Sequence, residues 1–222
     1  MPAARKPDAQ AALRNPRGQG DRLRASLLEA ANDLLLESGG DMSRFSVRGV
    51  TRRAGVSPMA LYLHFADLDE LMHALFAQNF AELRARVGAA YGSASDPVEQ
   101  LRRGGRAYVE WGLERPGNYR VIFSLPDLFP DAVAERLERD EWIEMAGEGA
   151  ATFEDLVEVV QRCIDAGVAG VDNAWVAATG IWVTLHGITT LQWCLSSFPW
   201  PDVDLLIDRA IAGHMGIAIP AR

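Results

Sequence analysis

Cysteine is scarce in this chain of 222 residues: there are two, Cys163 and Cys194. They set no metal-ligand or disulfide-framework spacing, so neither a metal nor any other cofactor is expected. Both fall in apolar stretches, which reads as buried thiols in a reducing, cytoplasmic compartment. Alternating apolar and polar residues are missing too, so no half-buried strand is expected. Neither His64 nor His186 is accompanied by a Glu-x-x-His pair, an HExxH motif, a Gly-rich phosphate loop or a Ser or Cys nucleophile context, and an enzyme is therefore not expected. The first residues carry Arg5, Lys6, Arg14 and Arg17 among Pro, Gly and Ala, with no apolar block behind them. Residues 1–20 are read as a disordered basic arm, neither signal peptide nor anchor.

The longest absence is one of charge. Residues 173–201 contain no Asp, Glu, Lys or Arg. About 20 apolar residues suffice to cross a bilayer, so a membrane-associated helical protein anchored by this segment is one reading. The other is a helix buried on most of its circumference inside a protein dimer. Four threonines, His186 and Gln192 interrupt the run, and no Lys/Arg cluster flanks it to fix an orientation. These features favour the second reading, with no membrane partner.

What the chain does have is helical periodicity nearly throughout, and the fold class is read as all-α. Hydrophobic residues make up 49% of it, enough for a full core. Helices are expected over residues 21–38, with Asp21 as N-cap, from Ser46 to Gly55, from Ser57-Pro58 onward, and from Asp67 to about Tyr91. Further ones follow over 96–114, to Phe123, over 131–145, to about Ala166, over 172–196 and over 202–215. The net charge of -8 is unevenly placed: residues 1–65 carry +4 and the remainder -12. A basic head on an acidic body suits a protein of which one end meets a polyanion.

Two short helices joined at Gly55, the second opened by Ser57-Pro58, form a helix-turn-helix pattern, and the helix before them completes a three-helix unit. Val50, Ala54, Val56, Leu61 and Phe65 are spaced to face inward. Ser57, Pro58, Met59, Ala60, Tyr62 and His64 are left facing out. A DNA major groove offers thymine methyls to Met59 and Ala60, and phosphate oxygens to Tyr62 and His64. Ser46 and Arg48 open the preceding helix, where free N–H groups and the positive dipole end favour a phosphate.

The stretches "LLEAANDLLLESG" and "FSVRGVTRRAGVSPMALYLHFADLDELMHALF" together resemble the TetR-type (TetR/AcrR-like) transcriptional regulators. The resemblance implies a DNA-binding head over 21–66, a ligand-binding and dimerising helical bundle over 67–222, and a homodimer on double-stranded DNA with a palindromic operator. It also implies that the positions of Ser46, Val47, Arg48, Ser57, Pro58, Met59, Ala60, Tyr62 and His64 meet DNA. One departure stands out. The family usually has a phosphate-binding lysine three residues after the HF phenylalanine; here that position is Leu68, between Asp67 and Asp69.

In the body, Trp175, Trp182 and Thr189 recur every seven residues with Ala178, Leu185 and Gln192 beside them, which reads as a seam for another helix. With Leu206 and Ile211 of the final helix this seam is expected to form the dimer interface, the alternative being packing within one chain. The stretches "WGLERPGNYRVIF" and "WVTLHG" resemble a subgroup of these regulators marked by a Trp followed shortly by His-Gly. Apolar cavities with a few polar groups are the usual small-molecule sites. Tyr108, Trp111, Tyr119, Phe123, Trp182 and His186 are accordingly expected at a site for a small apolar effector, whose binding releases a repressor from its operator.

Overall fold

The structure, a computed structural model, describes residues 19–38, 45–123 and 147–217. Of the expected disordered arm over 1–20, residues 1–18 lie outside the described residues, as do the loop over 125–131 and the charged helix over 131–145, whereas Gln19 and Gly20 already belong to the first helix. Within them there are nine α-helices and no strand.

The head is built from α1 (Gln19–Glu37), α2 (Val47–Arg53) and α3 (Pro58–Tyr62). Asp21 lies in the first turn of α1 rather than at its N-cap, where its charge still complements the dipole. Ser46 caps α2 by accepting from the Gly49 N–H at 3.1 Å. Gly55 then takes a left-handed φ of 70°, a conformation costly for any residue with a Cβ, and this sets the turn into α3. Pro58 at the first helical position supplies the φ that α3 needs.

The body comprises α4 (Leu68–Gly92), α5 (Pro97–Glu114), α6 (Pro116–Phe123), α7 (Glu148–Asp165), α8 (Ala174–Cys194) and α9 (Val203–Met215). Side-chain caps from Asp67, Asp96, Asn173 and Asp202 start α4, α5, α8 and α9. Gly216 ends α9 in the left-handed conformation. Among the described residues α8 is the one helix long and apolar enough to cross a membrane. It packs against α5, α7 and α9, with Ala178, Ile181 and Leu185 buried.

Two cores result, and α4 runs through both. Leu71, Met72 and Leu75 join Leu27, Leu35, Val50, Leu61 and Phe65 in the first. Phe76, Phe80, Leu83 and Val87 belong to the second, with residues of α5, α7, α8 and α9. The first core therefore extends past residue 66, where the head was expected to end. It also receives Val121 from α6. Thus α6 touches the head with one face and the body with the other.

Ion pairs tie the body helices. Arg102 on α5 meets the nearly buried Asp208 on α9 at 2.8 Å, and Arg84 on α4 meets Asp155 on α7 at 2.7 Å. Cys163 is buried, and that burial pushes its thiol pKa up to about 11, so it is inert near neutral pH. Cys194, expected to be buried, is exposed, because it sits on the outward face of the last turn of α8.

Candidate nucleic-acid interface and internal cavity

On the head, α3 presents a mostly uncharged outer face. Leu61 and Phe65 are buried, whereas Met59 is 69% and Tyr62 51% exposed. Ser46, Arg48, Ser57 and Pro58 are exposed as well, and Ala60 and His64 are half-buried. Val47 differs: it packs against the head core, because the stripe it shares with Val50 turns inward. Ser57 holds the N-cap position of α3 without closing its hydroxyl onto the helix. Leu63, 71% exposed, belongs to the same face and is absent from the expected set. Its place two residues after Leu61, about 200° around a helix, was the available signal.

Charge around this face is partly committed. Arg53 is bound to α1, its guanidinium 2.9 Å from Asp33 and 2.6 Å from Glu37. Arg24 lies over the Phe65 ring, 5.0 Å from its centroid. At the start of α4, Leu68 packs against the head core. Asp67 accepts from the Glu70 N–H at 2.8 Å while Glu70 accepts from the Ala66 N–H at 2.5 Å. This reciprocal cap occupies two N–H groups at this helix end, those of Ala66 and Glu70, and places two carboxylates where a phosphate would sit.

In the body, α4, α5, α6, α7 and α8 line a partly open cavity of about 350 Å³. Phe76, Phe80, Phe123, Phe153, Trp175 and Trp182 supply most of its aromatic wall. Of the six expected residues, Tyr108, Phe123 and Trp182 line it. Trp111, Tyr119 and His186 do not. Trp111 is fully buried behind Tyr119, and Tyr119 and His186 stack on each other with ring centroids 5.3 Å apart, one layer back. Hydrogen bonds join that layer to the wall: Tyr108 Oη lies 2.9 Å from Tyr119 Oη, which lies 2.7 Å from His186 Nδ1. Burial raises the pKa of Tyr108 well above a phenol's ordinary value, aided by Tyr119. Burial also lowers that of His186, so the whole chain of groups is neutral at pH 7.

The expectations missed the α4 side of this wall. Phe76, Phe80, Leu83 and Val87 recur at four, three and four residues, which was signal enough for an apolar face. They also missed Gly104 and Gly105, two adjacent glycines in mid-helix. A Cβ on Gly104 would fall onto the Tyr91 ring, so this glycine lets α5 approach α4.

The expected dimer seam needs correction. Ala178, Leu185, Thr189 and Ile211 are buried inside the subunit and present no surface to a partner. Trp175 and Trp182 face the cavity, Trp175 lying edge-on to Phe153 at 4.8 Å. Gln192 and Leu206 are half-buried. The exposed apolar residues of these two helices are instead Val176, Val183 and Leu191 on α8 and Leu205 on α9.

Between head and cavity stands α6. Tyr119, Ile122 and Phe123 join the body core or its border, whereas Val121 enters the head core. Gly117 lies so close to Leu36 of α1 that an added Cβ would collide with it.

Residues 27–75 match a family described as bacterial regulatory proteins of the tetR family, and residues 101–213 match the tetracyclin repressor-like C-terminal domain. Solved structures are similar over nearly the whole chain. A protein of unknown function from Rhodococcus sp. RHA1 is 25% identical with a TM-score of 0.71, covering 95% of this chain and 100% of its own. A TetR family transcription regulator from Marinobacter aquaeolei VT8 is 21% identical with a TM-score of 0.67, covering 88% and 97%. The fatty acid degradation regulator FadR from Bacillus halodurans is 17% identical with a TM-score of 0.62, covering 90% and 97%. With a helix-turn-helix head joined through α4 to a hollow helical body, and with both parts matched, the chain belongs to the TetR family of transcription regulators, which combine a DNA-binding helix-turn-helix domain with a ligand-binding C-terminal domain.

Proposed function

We infer that the protein is a cytoplasmic repressor that binds a palindromic operator as a homodimer and leaves it when a small apolar molecule enters the cavity. The observation that carries this reading is the outer face of α3. Met59, Tyr62 and Leu63 are exposed on a short helix whose inner face is fully used, and water gains nothing from them. Thymine methyls and the sugar-phosphate backbone offer such residues matching contacts. Ser46, Arg48 and Ser57 flank the face with groups suited to phosphate oxygens, and His64 closes its far end.

Two heads related by a two-fold axis require two half-sites, about one turn of DNA or ~34–36 Å apart. The exposed stripe of Val176, Val183 and Leu191 on α8, with Leu205 on α9, supports a self-complementary dimer face. Residues 1–18 act as a basic arm, the helices from Gln19 through the first turns of α4 as the reading head, and the rest of the chain as the sensing and dimerising body. The Trp182 to Gly187 stretch supports membership of the Trp/His-Gly subgroup.

Coupling follows from the position of α6. A guest pressing on Phe123 from inside displaces a helix that also holds Val121 in the head core, and the two heads then change their separation. Operator and effector oppose each other through one coupling free energy.

Selection of bound sequences from random duplex DNA by the purified protein tests the reading. Enrichment of a palindrome is the expected result, and a pool with nothing enriched would refute DNA recognition.

A further inference from the structure

The wall of the cavity is chemically uneven. No charged side chain lines it among the described residues. The hydroxyls of Thr152 and Thr179 are spent within their own helices, on the carbonyls of Glu148 and Trp175, each at 2.8 Å. Of the two tyrosines in the wall, Tyr91 and Tyr108, Tyr108 is different, because its hydroxyl heads the chain through Tyr119 to His186 Nδ1.

That chain has two proton arrangements. A neutral imidazole carries one N–H and one acceptor nitrogen. With the proton on Nε2, Nδ1 accepts from Tyr119, Tyr119 accepts from Tyr108, and the Tyr108 oxygen, which also takes a hydrogen bond from the Trp182 indole, keeps one lone pair for an incoming donor. With the proton on Nδ1 both bonds reverse, and Tyr108 turns its own O–H on an incoming acceptor. No heavy atom moves between the two. A carboxylate entering the same space finds no counter-charge among the described residues, and an unpaired buried ion is strongly disfavoured.

We propose that the cavity takes an uncharged, largely hydrocarbon molecule with a single hydroxyl or carbonyl group, which Tyr108 meets as donor or acceptor according to the tautomer of His186. The inference rests on the ligand-responsive reading above and names the chemistry that site selects. A volume of about 350 Å³ is at the small end of the ~300–1,000 Å³ usual for such sites.

Four probes of one shape separate the possibilities: biphenyl, 4-phenylphenol, 4-acetylbiphenyl and biphenyl-4-carboxylate, titrated into the full chain by tryptophan fluorescence and thermal shift. The phenol and the ketone are expected to bind up to about tenfold tighter than biphenyl, one neutral hydrogen bond being worth about that factor, and the carboxylate weakest of the four because its charge is left unpaired. The isosteric Tyr108→Phe is expected to erase their advantage over biphenyl while leaving biphenyl itself bound. The ketone, an acceptor only, is expected to drive the His186 ring nitrogens to the Nδ1–H form in ¹⁵N spectra. Preference for the carboxylate, an unchanged ranking in Tyr108→Phe, or no saturable binding by any probe would overturn the proposal. Saturable binding of the neutral probes that leaves operator affinity unchanged supports the cavity chemistry and counts against the regulatory reading alone.

Discussion

Asn118 on α6 donates through Nδ2 to Oδ1 of Asn79 on α4 at 2.6 Å, and each residue is 3% exposed. The same amide reaches Oδ1 of Asn32 on α1 at 2.7 Å. One side chain thus ties the sensing body to two helices of the head core. Asn118→Ala leaves the buried Asn79 acceptor without its donor, at a cost of roughly 1–3 kcal/mol, and removes a second bond to the half-buried Asn32. A lowered melting temperature is expected, together with a smaller effect of effector on operator affinity. Unaltered coupling in the variant would remove this tie from the route between cavity and DNA.

The arginines of the head are predicted to differ. Arg53 is engaged with Asp33 and Glu37, whereas Arg48 stands exposed at the start of α2. Arg48→Ala should weaken binding to all sequences alike and lower the slope of log affinity against log salt by about 1. Arg53→Ala should change both much less. Met59→Ala, by contrast, should relax sequence preference at one position of each half-site, read out in competition with variant operators.

Two glycines of the body make an opposed pair. A Cβ at Gly104 meets the buried Tyr91 ring, while at Gly88 on α4 it meets nothing within 4 Å. Gly104→Ala should destabilise by about 1–3 kcal/mol through overpacking. Gly88→Ala should stabilise by about 0.5–1 kcal/mol, because helix-interior glycine loses more backbone freedom on folding than alanine. Denaturant titration of the two variants checks the signs.

Burial holds the pKa of His186 below its ordinary value of 6.5. The unfolded chain therefore binds the proton first as pH falls, and stability declines from about 6.5 downward through the folded pKa. His186→Gln removes this contribution. Its melting temperature should fall less than that of the wild type between about pH 7 and pH 5. Parallel curves would show that His186 does not titrate differently on folding.

The head could be read from sequence because its signals are local. Ser46, Gly55, Ser57 and Pro58 each mark a helix end by their own chemistry, and Leu61 and Phe65 mark the only face that α3 can bury. The body gave no comparable sign. α8 carries no charge on any side, so the heptad of Trp175, Trp182 and Thr189 could equally face the interior or a partner. Nothing in its composition distinguishes Ala178, which is buried, from Val183, which is exposed. The cavity was half visible for a related reason: aromatic residues are easily found, but whether Tyr119 stands in the wall or one layer behind depends on the angle at which α6 meets α5.

That ambiguity yields the test of the dimer face. Val176 and Val183 lie seven residues apart on the outer side of α8, both more than half exposed. Leu191 near the end of α8 and Leu205 on α9 are exposed as well. Val183→Arg places a charge where a self-complementary interface would desolvate it next to its own symmetry mate. Sedimentation is expected to show a folded monomer, with operator affinity reduced because the two half-sites no longer share one binder. Ala178→Arg is the contrasting case. Its side chain would have to enter the subunit core, so the expected outcome is loss of folding, not dissociation. A Val183→Arg protein that sediments unchanged would assign self-association to a different surface.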